Sequence, residues 1–140
     1  MFVLDTNVVS ELRKVGLGKT SSAFAKWAAD ADLSQHYLST ATIVELEVGI
    51  LRLEKKDPQQ AWVLRQWLSN FVLPKFHGRI LPVTTEIALR AAYSLENTDS
   101  NSYPDALIAA TAYVHKMVIV TRNQKHFSGA GMRIINPWNT

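Results

Sequence analysis

Short apolar runs recur along this 140-residue chain at positions 2–4, 36–38, 79–83, 117–120 and 133–135, and the stretches between them carry apolar residues at helical spacing. That alternation is the strongest constraint on the fold. Residues 117–120 read Met-Val-Ile-Val, a continuous run too short for a helix and suited to a strand covered on both faces. Strands that alternate with helices pair in parallel, because each helix carries the chain back across the sheet. The expected fold class is α/β with a mainly parallel sheet.

Local signals place the helices. Asp-Thr-Asn after the first run reads as a turn and helix cap, with a helix over 8–14. Phe24, Trp27, Ala28 and Ala31 mark a second helix over 21–31, and a third is expected over 42–55. Asp57-Pro58 is an N-cap followed by proline at the first helical position, and it opens a helix carrying Ala61, Leu64, Trp67, Leu68 and Phe71. These two helices form a hairpin arm at about 42–76. Pro82 puts the run at 79–83 at a strand end or sheet edge. Thr84 caps a helix to about residue 95, 97–102 is a polar loop, and Pro104 starts a helix over 105–116 that is apolar almost all round.

No repeat or linker divides the chain, so residues 1–140 are expected to form one domain. Apolar residues make up 47%, too many for a disordered chain, yet no apolar run approaches the roughly 20 residues of a membrane span. The start, MFVLDTN, has neither the basic region nor the apolar stretch of a signal peptide, which predicts a cytoplasmic protein without a membrane partner. Cysteine is absent, which excludes disulfides, thiolate metal sites and cysteine nucleophiles.

The net charge of +3 is modest, but its distribution is uneven. No acid follows Asp105, while Lys116, Arg122, Lys125 and Arg133 lie beyond it. A basic tail of this kind suits a polyanion-facing surface or, equally, a solvated edge.

Ligands of open α/β sheets bind beyond the carboxyl ends of the strands. Asp5 follows the first strand, Asn123 follows the strand at 117–120, and Glu45 and Asp105 lie near the starts of their helices. Carboxylates held together repel and raise one another's pKa, and a hard divalent cation such as Mg²⁺ or Mn²⁺ resolves that repulsion. Each residue also has a plain structural reading: Asp5 as a helix cap, Asp105 as a complement to the helix dipole, Asn123 as a left-handed turn residue. Glu47 competes with Glu45, because it lies nearer the centre of the stripe formed by Ile43, Leu46, Ile50 and Leu53. Periodicity alone selects Glu47 as the buried acid.

The stretches FVLDTNVVSEL (2–12), ATIVELEVGI (41–50), PDALIAATA (104–112), VIVTRNQKHF (118–127) and INPW (135–138) resemble the PIN-domain nucleases, and within them the VapC and FitB type of bacterial toxin. The matches run in family order over nearly the whole chain. The resemblance implies a three-layer α/β/α sandwich whose acidic site binds Mg²⁺ or Mn²⁺ and cuts RNA. It assigns the metal-binding and catalytic acids to Asp5, Glu45 and Asp105, the fourth catalytic position to Asn123, and the support of the first acid to Thr6 and Asn7. Many relatives carry an acid three residues past the fourth position, where this chain has His126. The resemblance further implies a cognate antitoxin partner, contact with operator DNA only through that antitoxin, and a homodimer. Arg122, Lys125 and Lys116 are candidates for attracting the RNA backbone, and Trp62, Trp67 and Phe71 of the arm are either partner contacts or core. A PIN-like module that binds RNA or protein without cutting is the alternative in another class.

Overall fold

The computed structural model describes residues 1–97, 102–127 and 131–139; most of the expected loop at 97–102 lies outside them. Five parallel strands form one sheet in the order β3-β2-β1-β4-β5. They are β1 (Phe2–Leu4), β2 (His36–Ser39), β3 (Ile80–Leu81), β4 (Val118–Val120) and β5 (Ile134–Ile135). The expected strand at 79–83 shortens to two residues at a sheet edge, where the missing N–H of Pro82 breaks no ladder.

Alternation along the strands explains the layers. Phe2 and Leu4 of β1 face one cluster, with Val8, Phe24, Leu46 and Ile50, while Val3 between them faces another, with Ile108, Ala109 and Ala112. Val120 and Ile119 of β4 divide in the same way. Both sheet faces are therefore covered by helices, the three-layer α/β/α arrangement the resemblance implies. The first face carries α1 (Thr6–Val15), α2 (Ser22–Asp30), α3 (Thr40–Glu54) and α4 (Pro58–Trp67). The second carries α7 (Tyr103–His115), with α6 (Thr85–Asn97) packed outside it through Ile87 and Ala91 against Ala106 and Ala110. Val3, Leu4, Ile119 and Val120 are fully buried, each stabilising the sheet by about 1.5–3 kcal/mol.

Caps set the helix starts. Asp57 Oδ1 accepts the Gln60 N–H at 3.1 Å, and Thr84 Oγ1 accepts the Ile87 N–H at 3.2 Å. The third helix begins two residues before its expected start because β2 passes straight into it, Ser39 Oγ accepting the Ala41 N–H at 3.0 Å. α4 continues through a widened π turn, Leu68–Val72, into α5 (Leu73–Lys75). Pro74 gives the reason: its ring has no N–H for the Asn70 carbonyl and would strike it in a regular α-turn. Residues 124–127, not expected as helical, form the single turn α8 (Gln124–Phe127). Among the described residues no helix is long and apolar enough to cross a membrane.

Candidate active site

Asp5 is the buried end of β1. Its backbone N–H donates to the Val120 carbonyl at 2.9 Å, so the pairing of β1 with β4 extends to this residue, while its carbonyl opens α1 by accepting from Val8 and Val9. The side chain sits among three donors. Oδ1 accepts the Thr6 N–H at 2.8 Å, and Oδ2 accepts the Thr121 hydroxyl at 2.7 Å and the Asn7 amide at 3.2 Å. The cap reading of Asp5 thus holds alongside its place in an acidic cluster.

Glu45 approaches from α3. Thr6 Oγ1 lies 2.6 Å from Glu45 Oε1 and 3.1 Å from Thr42 Oγ1, which ties the first turn of α1 to the start of α3. Asp105 comes from the first turn of α7, whose cap is Ser102; its N–H lies 3.3 Å from Ser102 Oγ. The first turn of α7, the second turn of α3 and the end of β1 therefore deliver three carboxylates to the carboxyl end of the sheet.

Asp5 and Glu45 both feel the charge of Asp105. Burial pushes the Asp5 carboxyl above the ordinary range; hydrogen bonds from Thr121 and Thr6 oppose this, and the charge of Asp105 adds to it. Burial likewise pushes Glu45 up against its bond from Thr6, with Asp5 and Asp105 raising it further. The set is rich in oxygen and in unresolved negative charge, which fits a hard divalent cation. Among the described residues no three carboxylate or imidazole groups already stand close enough to enclose an ion. An ion held here would keep water in its shell, as Mg²⁺ commonly does.

Glu47, the acid periodicity selects, lies elsewhere. Its carboxylate pairs with both terminal nitrogens of Arg65 on α4, and Arg65 also reaches Glu54 at 3.6 Å. Those bonds hold Glu47 below the usual carboxylate range, the opposite of Glu45. The stripe points Glu47 at a neighbouring helix, and that neighbour supplies a cation.

Asn123 is exposed and stands just before α8, with its backbone N–H donating to Thr121 Oγ1 at 3.0 Å. It does not occupy a left-handed turn, since Lys116 is the one non-glycine described residue with positive φ. His126, on α8, brings Nδ1 to 3.1 Å from Asp105 Oδ2, so the imidazole belongs to the cluster rather than to open solvent. Thr121 and Thr42, which the sequence pattern does not single out, also line the cluster, and Thr121 follows β4 directly. For Thr121 the available signal was a β-branched polar residue directly after a buried strand.

The basic tail divides between the two ends of the sheet. Arg122 and Lys125 follow the carboxyl end of β4 beside Asp5, and the Arg122 guanidinium lies 5.1 Å over the Trp138 ring. Lys116 ends α7 in a left-handed conformation before β4, and Arg133 precedes β5, so both lie at the opposite end. Lys116 therefore lies at the end of β4 away from Asp5. In the arm, Trp62 is 64% exposed and Phe71 is exposed, whereas Trp67 packs against the core.

Known proteins are similar to this chain over nearly its whole length. The PIN domain family matches residues 2–131. The chain is 32% identical to VapC ribonuclease Y4jK of Sinorhizobium fredii over 142 residues, covering 99% of this chain and 98% of that one. It is 33% identical to toxin FitB of Neisseria gonorrhoeae over 146 residues, covering 99% of each. The crystal structure of FitAcB from Neisseria gonorrhoeae aligns over 100% of both chains at 31% identity with a TM-score of 0.86. A toxin-antitoxin complex from Klebsiella pneumoniae aligns over 100% of both at 26% identity with a TM-score of 0.67. A parallel sheet that gathers Asp5, Glu45 and Asp105 at its carboxyl edge, matched over nearly its full length by these relatives, places the chain in the PIN-domain family, among the relatives of VapC and FitB.

Proposed function

We propose that this protein is an Mg²⁺- or Mn²⁺-dependent endoribonuclease acting in the cytoplasm as the toxin of a toxin-antitoxin pair. The observation that carries the reading is the junction of Asp5 and Glu45 through Thr6, with Asp105 close enough to raise the pKa of both. Relatives named as a ribonuclease and as a toxin support the activity, and a related toxin-antitoxin complex supports the partner.

Asp5, Glu45 and Asp105 would hold the cation, directly or through water. When bound, the cation supplies charge neutralisation at a phosphodiester and a more acidic water. The protein's own residues do the positioning. Thr121, Thr6 and Asn7 occupy lone pairs of Asp5 and fix its plane, and Thr6 aims Glu45 at the same centre. Asn123 stands exposed at the mouth, where it can orient a phosphate oxygen. Arg122 and Lys125, following β4, attract the RNA backbone. A cognate antitoxin covers this face when the toxin is held inactive, any DNA contact runs through the antitoxin, and exposed Trp62 is a contact for it or for a second copy of the chain.

The test uses purified protein, mixed RNA and Mn²⁺. Cleavage is expected, with loss on adding EDTA and in Asp5→Asn. Equal cleavage by Asp5→Asn would overturn the assignment, and metal binding without cleavage of any RNA would leave a PIN-like binding module.

A further inference from the structure

His126 lies on the single turn α8, and two anchors fix that turn beside the acidic centre. Phe127, buried, packs into the cluster that holds Ile108 and Ala109 of α7, the helix that carries Asp105. The His126 N–H donates to the Asn123 carbonyl at 3.1 Å, the Asn123 N–H donates to Thr121 Oγ1 at 3.0 Å, and the Thr121 hydroxyl donates to Asp5 Oδ2 at 2.7 Å. With the imidazole Nδ1 at 3.1 Å from Asp105 Oδ2, a continuous series of contacts runs from one acid to another.

The three acids are held differently. Asp5 accepts from Thr6, Thr121 and Asn7, which takes up three of about four lone-pair sites on a carboxylate. Glu45 accepts from Thr6. Asp105, whose side chain is 17% exposed, is paired with the imidazole of His126. A carboxylate oxygen accepts, so the ring nitrogen that faces it donates. An imidazole adds no negative charge in either protonation state, and Asn123 is neutral. Three carboxylates would therefore meet four positive charges if two divalent cations entered at the usual spacing of about 3.5–4 Å.

We propose that His126 is a positioning residue that holds Asp105 by Oδ2, keeps that carboxylate turned to the centre shared with Asp5 and Glu45, and limits the RNA-free site to one divalent cation. This role rests on the metal-dependent reading of the site and adds to it how Asp105 is aimed and how many ions the protein alone retains. Direct ligation is the competing use of the imidazole. It is disfavoured because Nδ1 faces a carboxylate and a hard cation prefers oxygen donors.

The experiment titrates the whole protein with Mn²⁺ in the absence of RNA and follows free and bound ion by electron paramagnetic resonance. Wild type is expected to take one ion per chain, without the nitrogen hyperfine coupling of a directly bound imidazole. His126→Leu should weaken binding about tenfold or more, the usual cost of removing a hydrogen-bond partner of a metal ligand. His126→Asn, whose amide donates to Asp105 as the imidazole does, should recover most of that loss. His126→Asp, which replaces the donor by a fourth carboxylate, should admit a second ion. The His126 side chain is 35% exposed on a single turn, so these variants should fold, and circular dichroism checks it. Wild-type affinity in His126→Leu, two ions on wild type, or nitrogen coupling from an imidazole each overturns the role of His126. So does His126→Asn binding as weakly as His126→Leu. One-ion binding with the expected variant effects, but no cleavage of RNA, would sink the ribonuclease reading and leave that role standing. EDTA-sensitive cleavage with unchanged affinity in His126→Leu would do the reverse.

Discussion

Thr121 and Asp5 are 116 positions apart in sequence and are joined by a 2.7 Å hydrogen bond, the Thr121 hydroxyl donating to Asp5 Oδ2. The same hydroxyl accepts the Asn123 N–H at 3.0 Å, so one side chain locks the end of β1 to the segment after β4. Thr121→Val keeps the shape and removes both bonds. A stability loss of about 2 kcal/mol is expected in urea unfolding, because a buried acceptor and a backbone donor both lose a partner. Divalent-ion affinity should also fall, since Asp5 without this donor holds its proton to higher pH. An unchanged urea midpoint would show that the bond adds nothing net.

Glu45 and Glu47 separate two roles on one helix. Glu45→Gln should abolish Mn²⁺-dependent RNA cleavage and leave the thermal midpoint near or slightly above wild type, because it removes a charge that burial disfavours. Glu47→Gln should keep cleavage and lower the midpoint modestly, because it breaks a half-buried, two-bond pair with Arg65 that extends to Glu54. Loss of cleavage in Glu47→Gln with activity kept in Glu45→Gln would reassign the site.

The raised carboxyls of Asp5 and Glu45 make the protein's response to metal depend on pH. Their folded-state pKa values lie above the unfolded ones, so the folded state binds more protons across that window, and their contribution to stability falls as pH rises through it. A bound cation compensates the charge that appears. One Mn²⁺ concentration, a hundred times the dissociation constant at pH 7, should stabilise by about 2.7 kcal/mol at that pH, reversibly with EDTA. Calorimetry at pH 5 and pH 7 should find the larger thermal shift at pH 7; an equal shift at both would place the ion away from these carboxyls.

Arg122 and Lys116 lie at opposite ends of β4, and only Arg122 follows the end of β4 that pairs with Asp5. Arg122→Ala should weaken RNA binding and lower the slope of log affinity against log salt by about 0.7, the value for one phosphate contact on a single strand. Lys116→Ala should do neither. Equal effects in a salt titration would mean that the RNA wraps around the sheet.

Much of this structure was legible in the linear pattern, because strands, helices and caps depend on neighbours within a few residues. Residues 2–4 and 117–120 announced buried strands through continuous apolar character, Asp57-Pro58 and Thr84 announced helix starts through hydrogen bonds made within three residues, and Pro82 announced an edge. Local pattern set the α/β class and the parallel strands, and the family motifs marked Asp5, Glu45 and Asp105. Tertiary structure decided what those motifs and periodicities could not. Glu47 faces Arg65 and Glu45 faces Thr6, a difference set by which element packs against each side of α3 and invisible to a pattern that records only angle about its axis. The bond from Thr121 to Asp5 arises from the parallel pairing of β1 with β4. That pairing joins residues more than a hundred positions apart, where no local hydrogen-bond or burial preference reaches.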